Sequence, residues 1–196
     1  MFEILTVCTG NICRSPLAEQ LLRARLADLD PVVASAGTRG LPAAEMTPEA
    51  AHIAHALGVP AADTAAHRSR FLTEQHLIQP DLILAMTRTH RRTIAELAPT
   101  RLRSTFTIRE FARLAMAAPA EELRAATASA PSPSGKVRAA ASVLASYRGL
   151  VPPPDDPADD DVIDPYRQPW ETYLLSAQQL EPAATAVAAT VRAALS

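Results

Sequence analysis

Cysteine, lysine and aromatic residues are all scarce in this chain of 196 residues, which has two cysteines and 4% aromatics. Two thiols, Cys8 and Cys13, cannot form a disulfide framework, so the expected compartment is the reducing cytoplasm. Lys136 is the single lysine among 19 basic residues, a compositional bias that carries no function. The net charge is −2 and no basic run occurs, which removes the electrostatic case for a nucleic-acid partner or an anionic membrane. No stretch approaches the roughly 18 uncharged apolar residues a transmembrane helix needs, so no membrane insertion is expected. The start, MFEILTV, lacks the basic and long apolar regions of a secretory signal. There is no Gly-x-x-x-x-Gly-Lys, hence no sign of nucleotide hydrolysis. His52 and His55 share a helix face without a third ligand, and the aspartates between 155 and 161 lack the glycine and closing glutamate of a calcium loop. Neither a metal nor any other cofactor is therefore expected.

What is present suits one globular domain with a real core: 48% of residues are hydrophobic and 20% charged. Ile4-Leu5-Thr6-Val7 reads as a buried strand, and Ser15 followed by Pro16 reads as an N-cap and first helical position. Leu17, Leu21, Leu22, Leu26 and Leu29 then mark one helix face. A second strand at Val32–Ala34 leaves through Ser35-Ala36-Gly37-Thr38, and Thr47-Pro48 opens a helix that Gly58 and Pro60 stop near Leu57. Asp81–Met86 is a third strand, with Thr87 capping the helix of Ile94 and Leu97. Ser104–Ile108 is a fourth, leading into a helix from Arg109. This alternation predicts an α/β fold, a parallel sheet with helices on both faces.

From about residue 113 to 161 the character changes. Ala-rich helices at 120–128 and 137–147 precede a Pro/Asp-rich segment, 152–161, expected to be an extended, mobile linker. A helix from about Pro169 and a final one near 183–194 close the chain.

The loop from Cys8 to Arg14 is where chemistry concentrates. A turn between a buried strand and a helix start aims successive backbone N–H groups into one concavity, and the helix dipole adds positive potential. Gly10 and Asn11 tolerate the left-handed turns such a cradle needs. Arg14 closes it with a fork matched to two phosphate oxygens. Cys8, at the strand end, faces donors, and a thiolate beneath a bound phosphoester is an in-line nucleophile.

Val7-Cys8-Thr9-Gly10-Asn11-Ile12-Cys13-Arg14-Ser15-Pro16 resembles the signature of low-molecular-weight protein tyrosine phosphatases, including the bacterial ones. Ser35-Ala36-Gly37-Thr38, His67-Arg68-Ser69-Arg70 and Asp164-Pro165-Tyr166 follow in the family's order. The resemblance covers residues 1 to about 112 and 162 onward, and implies a three-layer α/β/α fold with a four-stranded parallel sheet. It implies Cys8 as nucleophile, Arg14 as binder of phosphate, and Asp164 as general acid and then base. Thr9, Gly10, Asn11, Ile12, Cys13, Ser15 and Tyr166 would line the substrate site, with Thr9, the 38–41 stretch and Tyr166 as its walls. Ser15 would also aid the leaving thiol, His67 would support Asn11, and Ser35 belongs to the supporting set. Cys13 has two readings: a packing residue, or, by family precedent, a reversible disulfide partner protecting Cys8.

The expected partner is a phosphotyrosine protein, and the resemblance adds autophosphorylating tyrosine kinases as a bacterial context. The whole chain reads as one phosphatase domain with an insertion at about 113–161, placed where it can act as a lid or docking surface. Three rivals share the loop or fold. A protein arginine phosphatase resembles a form with threonine where Ile12 stands, and a branched apolar side chain cannot orient water. A thioredoxin-coupled arsenate reductase needs two more cysteines than the chain has. A non-catalytic phosphate-binding module has no need of Cys8, Arg14 and Asp164 together. The arginines of the 88–92 stretch are read as an exposed helix face able to receive an acidic substrate.

Overall fold

The computed structural model describes residues 1–40 and 42–196. Apolar, β-branched segments form four strands: β1 Glu3–Cys8, β2 Val32–Gly37, β3 Leu82–Ala85 and β4 Thr105–Thr107. They pair in the order β2-β1-β3-β4, all parallel, with Cys8 of the central β1 opposite Gly37 at the carboxyl end of the β1–β2 pair. Alternation along β1 sends Ile4 and Cys8 to one face and Leu5 and Val7 to the other, and each face has its own core. Helices α1 Arg14–Arg25, α2 Pro48–Ala56, α5 Ile108–Ala117, α7 Pro133–Ser146 and α8 Trp170–Leu195 contribute to the larger core. Helix α4 Arg88–Leu97 buries Ile94 against the other face. This is the expected three-layer α/β/α arrangement. The remaining helices are α3 Ala61–Ala66, not foreseen, and α6 Ala120–Ala128, at its expected bounds.

Several expectations need correction. α1 begins at Arg14 with Cys13 as its flanking residue, so Ser15 is inside the helix and does not cap it. Ser35, Ala36 and Gly37 belong to β2 and not to a loop leaving it. The C-terminal segment is one helix of 26 residues that continues through Pro182. Burial of Leu180, Ala183, Ala184 and Val187 outweighs the ladder bond that a proline forfeits.

The segment 113–161 is also more firmly attached than its composition suggests. Val137, Ala141 and Leu144 of α7 enter the main core. Arg138 Nε meets the buried Asp81 carboxylate at 2.5 Å, and Ser134 donates to the same oxygen at 2.7 Å. Arg148 lies over the Phe106 ring at 4.2 Å, pairs with Glu110 at 2.7 Å and donates to Thr105 O at 2.5 Å. β4 is an edge strand, and this guanidinium occupies one of its open carbonyls. The Pro/Asp-rich segment is pinned rather than mobile: it makes a short 3₁₀ turn at Pro157–Asp160, and Val162 N–H donates to Met86 O at 2.8 Å.

Candidate active site

Residues 9–13 turn around the Cys8 sulfur at the carboxyl end of the sheet, where a parallel sheet opens its crevice. Asn11 adopts the left-handed region at φ 57°, and its N–H donates to Cys8 Sγ at 3.3 Å. Its amide nitrogen donates to Ser15 Oγ at 3.0 Å and to Ser35 Oγ at 2.7 Å, while Oδ1 accepts from Arg70 N–H at 2.9 Å. Ser15 Oγ stands 3.0 Å from the sulfur. That oxygen accepts from Asn11, and its single hydrogen has the Cys8 sulfur at 3.0 Å and Ala36 O at 3.5 Å within reach. Ser35 likewise accepts from Asn11 and donates to Glu19 Oε2 at 2.5 Å, and Glu19 is held by Arg23. Asn11, Ser15 and Ser35 are fully buried, so this relay fixes the loop without competition from water.

His67 supports the same asparagine through Nε2, 2.8 Å from Asn11 O. A carbonyl only accepts, so Nε2 carries the hydrogen. Burial, the largest cause, pushes the His67 pKa below its ordinary value. Behind the loop, a Cβ on Gly37 would stand 2.5 Å from Thr9 O and 3.0 Å from Asn11 N. Only glycine lets the cradle backbone lie this close to β2.

Arg14 is 4% exposed, although it carries a charge. Its Nη1 donates to Val162 O at 3.0 Å and its Nη2 pairs with Asp164 Oδ2 at 2.8 Å. Nε is buried with no partner. A buried donor left unpaired costs about 1–3 kcal/mol. Asp164 is half exposed, and its Oδ1 accepts from Tyr166 N–H at 3.2 Å, a local turn that fixes the Asp-Pro-Tyr corner.

These groups enclose a cavity of about 340 Å³, floored by Cys8, Gly10 and Arg14 and walled by Thr9, Ile12 and Cys13. Arg39, Asp164, Tyr166 and Arg167 complete its rim. Two larger hollows, about 800 and 420 Å³, lie along α8 and include none of the loop residues. Among the described residues, none of the cavity's lining comes from the insertion, so it does not act as a lid over the sulfur here. Leu41, the last residue of the expected wall, lies outside the described residues. Arg167 extends over the Tyr166 ring at 5.1 Å, and Arg39 N–H donates to Thr9 O at 2.9 Å. The expected acidic-substrate face on α4 is largely committed elsewhere: Arg88 pairs with Asp161, and Arg91 donates to Thr105 O.

Both thiols are free. Cys13 Sγ lies 3.5 Å from Thr47 Oγ1 and 4.0 Å from Tyr173 OH, and burial pushes its pKa up to about 11. This packing favours the thiol form at neutral pH. His52 sits edge-on to Trp170 at 5.5 Å and His55 bonds Thr64 at 2.7 Å. Among the described residues no cluster of His, Cys, Asp or Glu is arranged to hold a metal ion.

Sequence reasoning missed His90, which has no motif around it. Its Nε2 bonds Thr9 Oγ1 and its Nδ1 bonds Thr87 Oγ1, both at 2.8 Å, so it braces one cavity wall from α4. Burial, and then Arg14, lower its pKa to about 4. The folded state therefore binds fewer protons than the unfolded chain between pH 6.5 and 4. The stability is fully present above about 6.5 and is lost as pH falls toward 4. At 1.36 kcal/mol per pKa unit, His90 alone accounts for about 3 kcal/mol over that window. Urea unfolding at pH 7, 5.5 and 4 will show this fall, and His90→Asn will flatten it. An unchanged slope in the variant would assign the loss to other groups.

Residues 3–122 match the model of the family described as low molecular weight phosphotyrosine protein phosphatase. The chain is similar to the low molecular weight protein-tyrosine-phosphatase Etp of Escherichia coli K12, 44% identical over 97 residues, or 50% of this chain and 62% of that protein. It is also similar to a protein-arginine-phosphatase of Geobacillus stearothermophilus, 37% identical over 111 residues, or 56% of this chain and 71% of the relative. Among solved structures, the tyrosine phosphatase Wzb from Escherichia coli K30 in complex with sulphate aligns with TM-score 0.66 and 26% identity, over 96% of this chain and 98% of that one. The YwlE arginine phosphatase from Geobacillus stearothermophilus aligns with TM-score 0.68 and 26% identity, over 98% and 94%. The sequence match thus spans less than two thirds of the first of these relatives, whereas the fold match is nearly end to end.

Proposed function

Because the chain belongs to the low molecular weight phosphotyrosine protein phosphatase family, we propose that it hydrolyses phosphotyrosine on proteins through a phosphoryl group carried on Cys8. The observation that carries this reading is the buried, unpartnered Nε of Arg14 beside a sulfur that Asn11 N–H and Ser15 Oγ already face. Apart from the Asp164 carboxylate on the rim, the polar groups facing that sulfur are the Asn11 N–H, the Ser15 hydroxyl and the Arg14 guanidinium, an arrangement a phosphate dianion completes.

The substrate's phosphate enters the cradle and takes the loop amides and the Arg14 fork. Asp164, which holds Nη2 at 2.8 Å beforehand, gives that nitrogen up to a phosphate oxygen. Cys8 Sγ then attacks phosphorus in line, forming S–P as the P–O bond to the phenol breaks. Asp164, released from Arg14 and carrying a proton taken up from solvent, delivers that proton to the departing oxygen. In the second step water attacks phosphorus, Asp164 takes its proton, and the S–P bond breaks. Ser15 donates a hydrogen bond to the sulfur that leaves, which lowers the barrier to its departure. Tyr166 and the rim cations Arg39 and Arg167 receive the aromatic ring and the flanking peptide. Phosphotyrosine proteins of the cytoplasm, an autophosphorylating tyrosine kinase among them, are the proposed partners. Among the described residues no helix is long and apolar enough to cross a membrane.

Arginine dephosphorylation is the second reading, favoured by the likeness to proteins named protein-arginine-phosphatase. Ile12 lines the cavity with an apolar side chain, which favours a ring over a guanidino group that needs hydrogen-bonding partners. Peptides identical except for phosphotyrosine, phosphoarginine or phosphoserine will separate the readings. We expect kcat/KM for phosphotyrosine to exceed the other two by at least about 10²-fold, the scale on which a mismatched pocket rejects a substrate. A preference for phosphoarginine would reverse the ranking.

A further inference from the structure

The residues immediately before Asp164 are held more tightly than their composition predicts. Asp160 is gripped side-on by Arg113, with Nε to Oδ1 at 3.1 Å and Nη2 to Oδ2 at 2.8 Å, and its carbonyl accepts from Thr107 Oγ1 at 2.6 Å. Asp161 Oδ1 accepts the Arg88 N–H at the start of α4 at 2.7 Å, and Arg88 Nη2 reaches Oδ2 at 3.1 Å. The Asp161 carbonyl takes Arg109 Nη1 at 2.8 Å. Val162, fully buried, is tied to the end of β3 through Met86 O and offers its own carbonyl to Arg14. Ile163 N–H donates to Gln179 Oε1 at 2.8 Å. Five consecutive residues, 160–164, are thus clamped to β3, α4, α5, α8 and Arg14, and the insertion ends in this clamp. Asp160 and Asp161 face no substrate, being absent from the lining of the Cys8 cavity.

We propose that Asp160 and Asp161, gripped by Arg113 and Arg88, are positioning residues that set where the Asp164 carboxyl stands over Cys8 for proton transfer. This rests on Asp164 being the proton donor. The Asp164 carboxyl is half exposed and its corner is fixed from both sides, by the buried Pro165 and the Tyr166 N–H after it and by the clamped residues before it, so once Arg14 lets go its place depends on those anchors. When phosphate displaces it from Arg14, the clamp keeps it within reach of the leaving oxygen instead of letting it swing into solvent. Misplacement by about 1 Å costs on the order of 10²-fold in a positioned step, so the anchors carry a measurable share of the rate.

The test reads the leaving group. Dinitrophenyl phosphate releases an oxygen that needs no proton, whereas phosphotyrosine releases a phenolate that does. Comparing kcat/KM for the two substrates on the same enzyme sample cancels any loss of folded protein. Asp161→Ala and Arg113→Ala are expected to lower kcat/KM for phosphotyrosine by about 10- to 100-fold and for dinitrophenyl phosphate by less than about 3-fold. Asp161→Asn, which keeps an acceptor for the Arg88 N–H, is expected to recover part of that selective loss. Asp164→Ala serves as the reference and is expected to show the same selectivity in stronger form. If Asp164→Ala is selective while the anchor variants lose both substrates equally, the anchors are merely structural and the proposal fails alone. If Asp164→Ala itself shows no selectivity, the proton-donor reading fails and takes the proposal with it.

Discussion

Replacing Cys8 with alanine abolishes phosphotyrosine turnover, lowering kcat by about 10⁴-fold or more, while the protein still binds phosphate. The first half follows from the chemistry. Without this sulfur the cavity keeps only the Cys13 thiol, whose pKa burial pushes up to about 11 and which therefore stays protonated, and loss of a covalent nucleophile costs about 10⁴–10⁶ in comparable machines. The second half follows from the structure, because the anion site is built by groups other than the thiol. The loop amides, the Arg14 fork and the relay through Asn11, Ser15 and Ser35 all remain. Removing the sulfur takes none of these donors away, so a phosphotyrosine peptide should still bind. Calorimetry on Cys8→Ala will therefore show binding about as tight as the wild-type KM implies. Residual turnover above about 1% of wild type would mean that the reaction does not pass through this atom.

Substituting Arg14 with lysine has the next largest effect, a fall in kcat/KM of about 10²–10³-fold. Lysine keeps the charge, so the loss isolates geometry. Arg14 spreads three nitrogens over three tasks: Val162 O, Asp164, and a buried Nε with nothing to bond until a ligand arrives. A single ammonium cannot span two phosphate oxygens and also hold the Val162 carbonyl. Loss of one preorganised donor aimed at developing charge costs about 10²–10³ in enzymes of known mechanism. A lysine variant within tenfold of wild type would show that charge alone suffices and that the fork is incidental.

Much of this was legible in the sequence because it depends on short-range chemistry. The strand–loop–helix of residues 4–22, the Thr47 and Thr87 caps and the sheet's alternation use signals confined to a few residues, and all three recur in the structure. Ser15 shows the limit of such signals. A serine before proline looks like a cap, yet its hydroxyl serves Asn11 and Cys8 and the helix starts one residue earlier. Sequence pattern cannot distinguish two uses of one hydroxyl when the deciding partner sits in another strand. The strap at 160–164 failed for a related reason. Asp160 and Asp161 read as the end of a solvated Pro/Asp-rich linker, 152–161, because the partners that hold them, Arg88, Arg109 and Arg113, come from elements around fifty to seventy residues earlier. His90 matters through contacts with Thr9 and Thr87 and carries no local mark, whereas Gly37 lies in a recognisable segment whose close approach to the cradle backbone only the fold shows. The continuous α8 shows burial overriding a breaker.

The account turns on phosphorus bonding to the Cys8 sulfur. Mixing the enzyme with phosphotyrosine peptide, quenching in acid through a single turnover and weighing the Cys8 fragment tests it directly. The predicted result is one phosphoryl mass on that fragment, rising as tyrosine is released and falling as inorganic phosphate appears, and absent in Cys8→Ala. Release of both products in step, with the sulfur unmodified at every time point, would contradict it.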